Sequence, residues 1–136
     1  MHVKILKEAG LEEALLGLSL SFNKDPAEMY PVLLKLCDKD GGHNKALESI
    51  CVWLDVRAPM DWWKQMDTYR IGLTKQSEST MHTLGKRRLT QNDFEVPIQS
   101  KYLTYLNSCI DGGIPETLLG KYLPQSFLQR RILCTN

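Results

Sequence analysis

A chain of 136 residues has the length of one ordinary domain, enough to bury roughly two thirds of the surface that its unfolded form exposes. With 43% hydrophobic and 24% charged residues it falls outside the disordered and collagen-like classes. The 17 Lys+Arg against 16 Asp+Glu leave a net charge of +1, which excludes a broad attraction to nucleic acid or acidic membranes, so any charge selectivity has to be local. Cys37, Cys51, Cys109 and Cys134 lack the CxxC spacing of a zinc site or redox dithiol and read as reduced apolar fillers. The three histidines lie far apart without carboxylate or thiolate neighbours at ligand spacing, so no metal site is expected. Met1 to Leu6 lacks the pattern of a leader and no apolar run nears 18 residues; the expectation is a cytoplasmic protein without a membrane span.

His2 to Lys7 is short and β-compatible, and Leu11, Ala14, Leu15, Leu18 and Phe22 then recur at helical steps. Asp25-Pro26-Ala27-Glu28 can open a second helix, with Asp25 as cap and Pro26 in the first turn, while Pro31 predicts a kink or a later start. Val32, Leu33, Leu36 and Cys37 carry the stripe to a stop at Gly41-Gly42. Ile50, Val52, Leu54 and Val56 alternate with Cys51, Trp53, Asp55 and Arg57, the clearest strand signal in the chain. Ala58-Pro59 ends it and begins a helix running to about Tyr69, on which Trp62, Met66 and Tyr69 share a face. Gln76 to Arg88 reads as a polar loop before a new segment near Asn92. Tyr102, Leu103, Leu106 and Ile110 predict a helix that Gly112-Gly113 end; Pro115 starts a brief one, and Phe127 to Cys134 form a last strand. With no repeat or linker, the expectation is one α+β domain over residues 1–136, a mixed sheet with packed helices around one core.

Two stretches resemble the flavin-dependent thymidylate synthase family. His43-Asn44-Lys45-Ala46-Leu47-Glu48 is similar to its His-x-x-x-x-Glu segment, and the strand Cys51 to Arg57 with Ala58-Pro59 is similar to its strand-to-helix junction. Gln65 stands at the position of its helix glutamine, and Thr68-Tyr69-Arg70-Ile71-Gly72 where its Arg-His-Arg-Ile-Ala signature belongs, keeping only the last arginine of the triplet. The second stretch, Tyr102 to Leu106 through Gly113-Ile114-Pro115-Glu116 to Leu123-Pro124, resembles the family's Tyr-rich helix, Gly-hydrophobic-Pro turn and Leu-Pro ending. Together the matches span about residues 43 to 136, and family members continue beyond the position of Asn136 into helices with further flavin and nucleotide contacts.

Members of this family move a methylene group from a folate to dUMP and reduce the adduct with hydride from their reduced flavin, so the protein's work is to hold anionic molecules in register. The resemblance implies FAD contacts at His43, Tyr69 and Arg70, pyrimidine-nucleotide contacts at Gln65, Gln76, Ser77 and Ser79, with Arg130 and Arg131 of the last strand in place of the family's loop arginine, and a homo-oligomer, a tetramer in the family. Thr68 and Tyr69 replace an arginine and an imidazole, and ungapped continuation puts Gln76, Glu78 and Thr80 where an acid, a serine and an arginine bind dUMP; a one-residue shift brings Ser77 or Ser79 to the serine position. Two lost charged hydrogen bonds of about 1.5 to 3 kcal/mol each weaken binding by two orders of magnitude or more. The expectation is therefore a degenerate, synthase-like protein with weak nucleotide or flavin binding.

Two alternatives stay open: a divergent active enzyme whose pocket uses Tyr69, Arg70 and Arg131, and a non-enzymatic interaction module that presents Trp62 and Trp63. Each residue also has a plainer reading. Arg70 can satisfy helix-end carbonyls, Gln65 can be solvated, His43 and Glu48 can cap the turn after Gly42, and Trp62 or Trp63 can be core. Lys86-Arg87-Arg88 can attract phosphate, but without interleaved aromatics it reads as a solvated turn.

Overall fold

The computed structural model describes residues 1–39 and 41–136. Strand β1 (His2–Ala9) turns at Gly10 into helix α1 (Leu11–Phe22). Gly10 has φ +98°, and a Cβ there would lie 2.3 Å from the Ser49 carbonyl oxygen, so both the turn and the close approach require glycine. Asp25 accepts from the Ala27 N–H at the head of a 3-10 turn, Pro26–Glu28, and Pro31 lies in the first turn of α2 (Tyr30–Leu36), the later of the two starts that a proline allows.

A 3-10 segment, Lys45–Ser49, leads to β2 (Cys51–Pro59), which runs without a loop into α3 (Met60–Met66). There follow β3 (Leu73–Ser77), α4 (Thr80–Thr83), a 3-10 turn at Gln91–Asp93, α5 (Ser100–Asp111), α6 (Glu116–Tyr122) and β4 (Leu128–Thr135). The strands form an antiparallel sheet in the order β1-β2-β4-β3. The α+β class expected from the sequence is the class found, with the sheet antiparallel rather than mixed.

Three details correct the sequence reading. The polar stretch from Gln76 to Arg88 is not one loop: β3 enters it and α4 lies within it. The strand Leu-Thr-Lys-Gln-Ser has no apolar alternation because it is an edge strand held by main-chain bonds rather than by burial of a face. Helix α3 stops at Met66, so Tyr69 lies beyond it, 59% exposed, and the side chain that anchors α3 is Trp63 at 1% exposure rather than the Trp62–Met66–Tyr69 face.

The chain divides into two compact units. Met1–Val3, Asp55–Arg70 and Lys75–Ile132 make the first, whose core is Leu84, Leu89, Phe94, Leu106, Leu119 and Phe127, with Phe94 and Phe127 edge to face at 5.9 Å. Buried Asn107 serves this core as a strand would: its side-chain amide accepts from the Leu89 N–H at 2.7 Å and donates to the Leu89 carbonyl at 3.0 Å. Lys4–Leu54, Ile71–Thr74 and Leu133–Asn136 make the second unit, where Ala14, Met29, Leu33 and Leu133 are buried. The four cysteines are half-buried thiols outside any disulfide. Among the described residues no helix is long and apolar enough to cross a membrane, and no group of His, Cys, Asp or Glu is placed to hold a metal ion.

Candidate functional site

The first unit builds a polar cluster at the end of α3. The Trp63 indole donates from Nε1 to the Gln129 carbonyl at 3.0 Å, which nails α3 to β4. The Arg131 guanidinium lies 4.4 Å above the Trp63 ring, a cation–π contact. Its Nε and Nη2 donate to Gln129 Oε1 at 3.1 and 3.0 Å, and its Nη1 meets Asp67 at 3.0 Å. Lys75 reaches Asp67 from β3 at 2.9 Å and donates to the Met66 and Tyr69 carbonyls at 2.9 and 3.3 Å. A cation at the carbonyl end of a helix offsets its dipole. That work falls to Lys75, not to Arg70, and nothing in the polar stretch around Lys75 signals it in the sequence.

Beside this cluster, β3 and β4 carry a groove of ≈ 370 Å³ lined by Gln76, Ser77, Glu78, Arg130, Arg131 and Ile132. Main-chain and amide bonds set its width: the Glu78 N–H donates to the Arg130 carbonyl at 3.0 Å and the Gln129 amide donates to the Glu78 carbonyl at 3.3 Å. Arg130 makes a bidentate pair with Asp55 on β2, Nε to Oδ1 at 2.8 Å and Nη2 to Oδ2 at 2.6 Å, while 59% of its side chain stays exposed. Four of the six nucleotide residues expected from the sequence, Gln76, Ser77, Arg130 and Arg131, therefore meet in one groove. The groove also holds Glu78, an acid against an incoming anion, and each arginine already has a carboxylate.

The other expected positions lie elsewhere. Ser79 precedes α4, where its carbonyl accepts from the Thr83 hydroxyl at 2.8 Å and the His82 N–H at 3.1 Å. Gln65 is exposed on α3, and its carbonyl accepts from the Thr68 hydroxyl at 2.7 Å. Tyr69 and Arg70 are exposed in the turn that follows. His43 belongs to the second unit, where with Glu13, Gly17, Leu18 and Lys45 it lines a cavity of ≈ 380 Å³ beside α1.

The basic run 86–88 is more than a solvated turn. Arg87 makes two bonds to buried Asp93, Nη2 to Oδ1 at 2.6 Å and Nη1 to Oδ2 at 2.8 Å, and Arg57 adds a contact to Asp93 at 3.3 Å. Asp93 also closes a capping box with Thr90, whose N–H donates to it at 2.8 Å. Burial alone pushes the Asp93 carboxyl up, but the bonds from Arg87 and Thr90 together outweigh it and hold it below 3.8. The Lys75 hydrogen bond, opposed by burial and joined by Arg131, holds Asp67 below 3.8 as well. Carboxyls depressed in the folded state stabilise it above their unfolded value, and that contribution disappears as pH falls through the folded one. The urea midpoint is accordingly expected to fall below about pH 4, and an Asp93→Asn variant to lose part of that pH dependence; an unchanged acid limb in the variant contradicts the assignment.

No protein-family model matches the chain, and no curated protein matches it by sequence. The fold has a clear class: it is the core fold of the flavin-dependent thymidylate synthases. Thymidylate synthase X from Helicobacter pylori, solved with FAD and dUMP, superposes with a TM-score of 0.77 at 12% identity, over 100% of this chain and 78% of that one. A second structure of the same enzyme with FAD and dUMP gives 0.76 at 13% identity, over 100% and 79%. The UMP/dUMP methylase PolB from Streptomyces cacaoi, bound with 5-Br UMP, gives 0.63 at 14% identity, over 99% and 71%.

The donor set at 68–70 does not fit a flavin dinucleotide. Thr68 spends its hydroxyl on the Gln65 carbonyl, and Arg70 is the one cation of the three residues, where a diphosphate and an electron-rich ring ask for several permanent forks.

Proposed function

We propose that this chain is a flavin-dependent thymidylate synthase-like protein that has lost the synthase reaction and retains weak binding of a pyrimidine nucleotide. The observation that carries the reading is the groove in which Gln76, Ser77, Arg130 and Arg131 converge on a synthase-type sheet. Arg130 is the phosphate ligand, because 59% of its side chain is exposed and a phosphate can share or displace Asp55. Ser77 and Gln76 supply neutral hydrogen bonds to the pyrimidine or sugar. Arg131 is the brace of α3 and acts on the groove only through its wall. Competition from Asp55, together with the nearby charge of Glu78, makes the affinity weak. The chain assembles as a homo-oligomer, as the resemblance implies.

Thermal unfolding with dUMP, UMP, dTMP, FAD and inorganic phosphate tests this, because a ligand of the native state raises stability in proportion to the logarithm of its concentration. The uracil nucleotides are expected to stabilise the protein only at high micromolar to millimolar concentration, and Arg130→Ala to abolish the shift. No stabilisation by any of them removes the nucleotide reading. Formation of dTMP from dUMP with folate, NADPH and added flavin would show that the reaction is intact and refute the degenerate one.

A further inference from the structure

Both edges of the sheet are open among the described residues, but they are not alike. Edge strand β3 has five residues and turns Lys75 onto Asp67 and two carbonyls. Short length is one of the usual devices that blunt an edge. Edge strand β1 has eight residues, of which His2 to Glu8 are all exposed, and it displays Ile5 at 58% and Leu6 at 47%. A long edge with apolar side chains in solvent is a template for another strand.

The charge pattern of β1 says which strand fits. When two copies of one strand pair antiparallel about a two-fold axis normal to the sheet, residues on the same face lie opposite each other, so the axis passes through a residue. An axis at Lys4 or Lys7 sets lysine against lysine. At Ile5 it sets Lys4 against leucine and Lys7 against valine. At Leu6 it sets Lys4 opposite Glu8 at both ends, with Leu6 against Leu6 between them. Lys7, whose ammonium lies 5.9 Å above the Trp53 ring, then faces Ile5 with its aliphatic stem.

We infer that β1 is the pairing edge of a symmetric dimer of this chain, an antiparallel β1–β1 ladder centred on Leu6 in which Lys4 meets Glu8 of the partner subunit. It gives the homo-oligomer proposed above a definite surface, but it does not depend on the nucleotide reading, since its test contains no ligand. In sedimentation the full chain is expected to form dimers in the micromolar range. Glu8→Lys and Lys4→Glu each turn two attractive pairs into two repulsive ones and are expected to weaken association roughly 10- to 30-fold. The double swap Lys4→Glu with Glu8→Lys is expected to restore it to within about threefold. A monomer at about 100 µM, a dimer indifferent to both single changes, or a double swap no better than either single change overturns the inference. Hydrogen exchange provides a second readout that needs no variant: β1 amides are expected to gain protection as protein concentration rises, and concentration-independent exchange there also overturns it.

Discussion

Replacing Asp93 by alanine is expected to lower the unfolding free energy by about 3 kcal/mol, which for a chain of this size is a fall of roughly 10 °C in Tm. The carboxylate is 3% exposed and accepts five hydrogen bonds, from Arg87 twice, from Arg57, and from the Thr90 N–H and hydroxyl. Its loss opens the capping box, worth about 1 kcal/mol, and removes charged bonds worth about 1.5 to 3 kcal/mol. The figure stays near the low end for a buried pair because the arginines are not trapped: the side chains of Arg87 and Arg57 are 62% and 42% exposed and can return to water. Asp93→Asn keeps a cap oxygen without the charge and is expected to lose about half as much. Chemical denaturation at pH 7 measures both, and a loss below about 1 kcal/mol for the alanine variant would mean that the cluster is solvated in solution.

Trp63→Ala is expected to cost more, about 4 kcal/mol, because it removes a large buried ring and leaves a cavity under α3. The change also strands the Gln129 carbonyl and takes away the ring beneath Arg131. Trp63→Phe separates these effects: most of the packing stays, the indole donor goes, and a loss of about 1 to 2 kcal/mol is expected. Since α3 is held to β4 by Trp63 and Arg131 together, the alanine variant is also expected to loosen the wall of the groove and to weaken any nucleotide shift before it unfolds the chain. Equal stability of the Phe variant and the parent would show that the N–H to carbonyl bond contributes nothing net.

The sequence alone determines the elements with strong local signals. Alternation from Ile50 to Val56, the helical stripe from Tyr102 to Ile110, Gly112-Gly113 and Pro115 each act within a few residues, and local sterics or amphipathicity decide them without help from the rest of the chain, whereas the stripe expected to run to Gly41-Gly42 stops at Leu36. The order of those elements also made the synthase-type fold readable at an identity of 12%. Tertiary structure alone decides what a polar segment becomes. Leu73–Ser77 is a strand because β4 offers it main-chain partners, a long-range fact with no local trace. The same holds for the site. The resemblance marked Gln76, Ser77, Arg130 and Arg131 as nucleotide-binding candidates, and the sheet does bring them together, but only the fold reveals that Asp55 and Asp67 already hold the two arginines. An arginine's charge is written in the sequence; whether it faces a ligand or a carboxylate depends on distances between strands that meet only when the sheet closes.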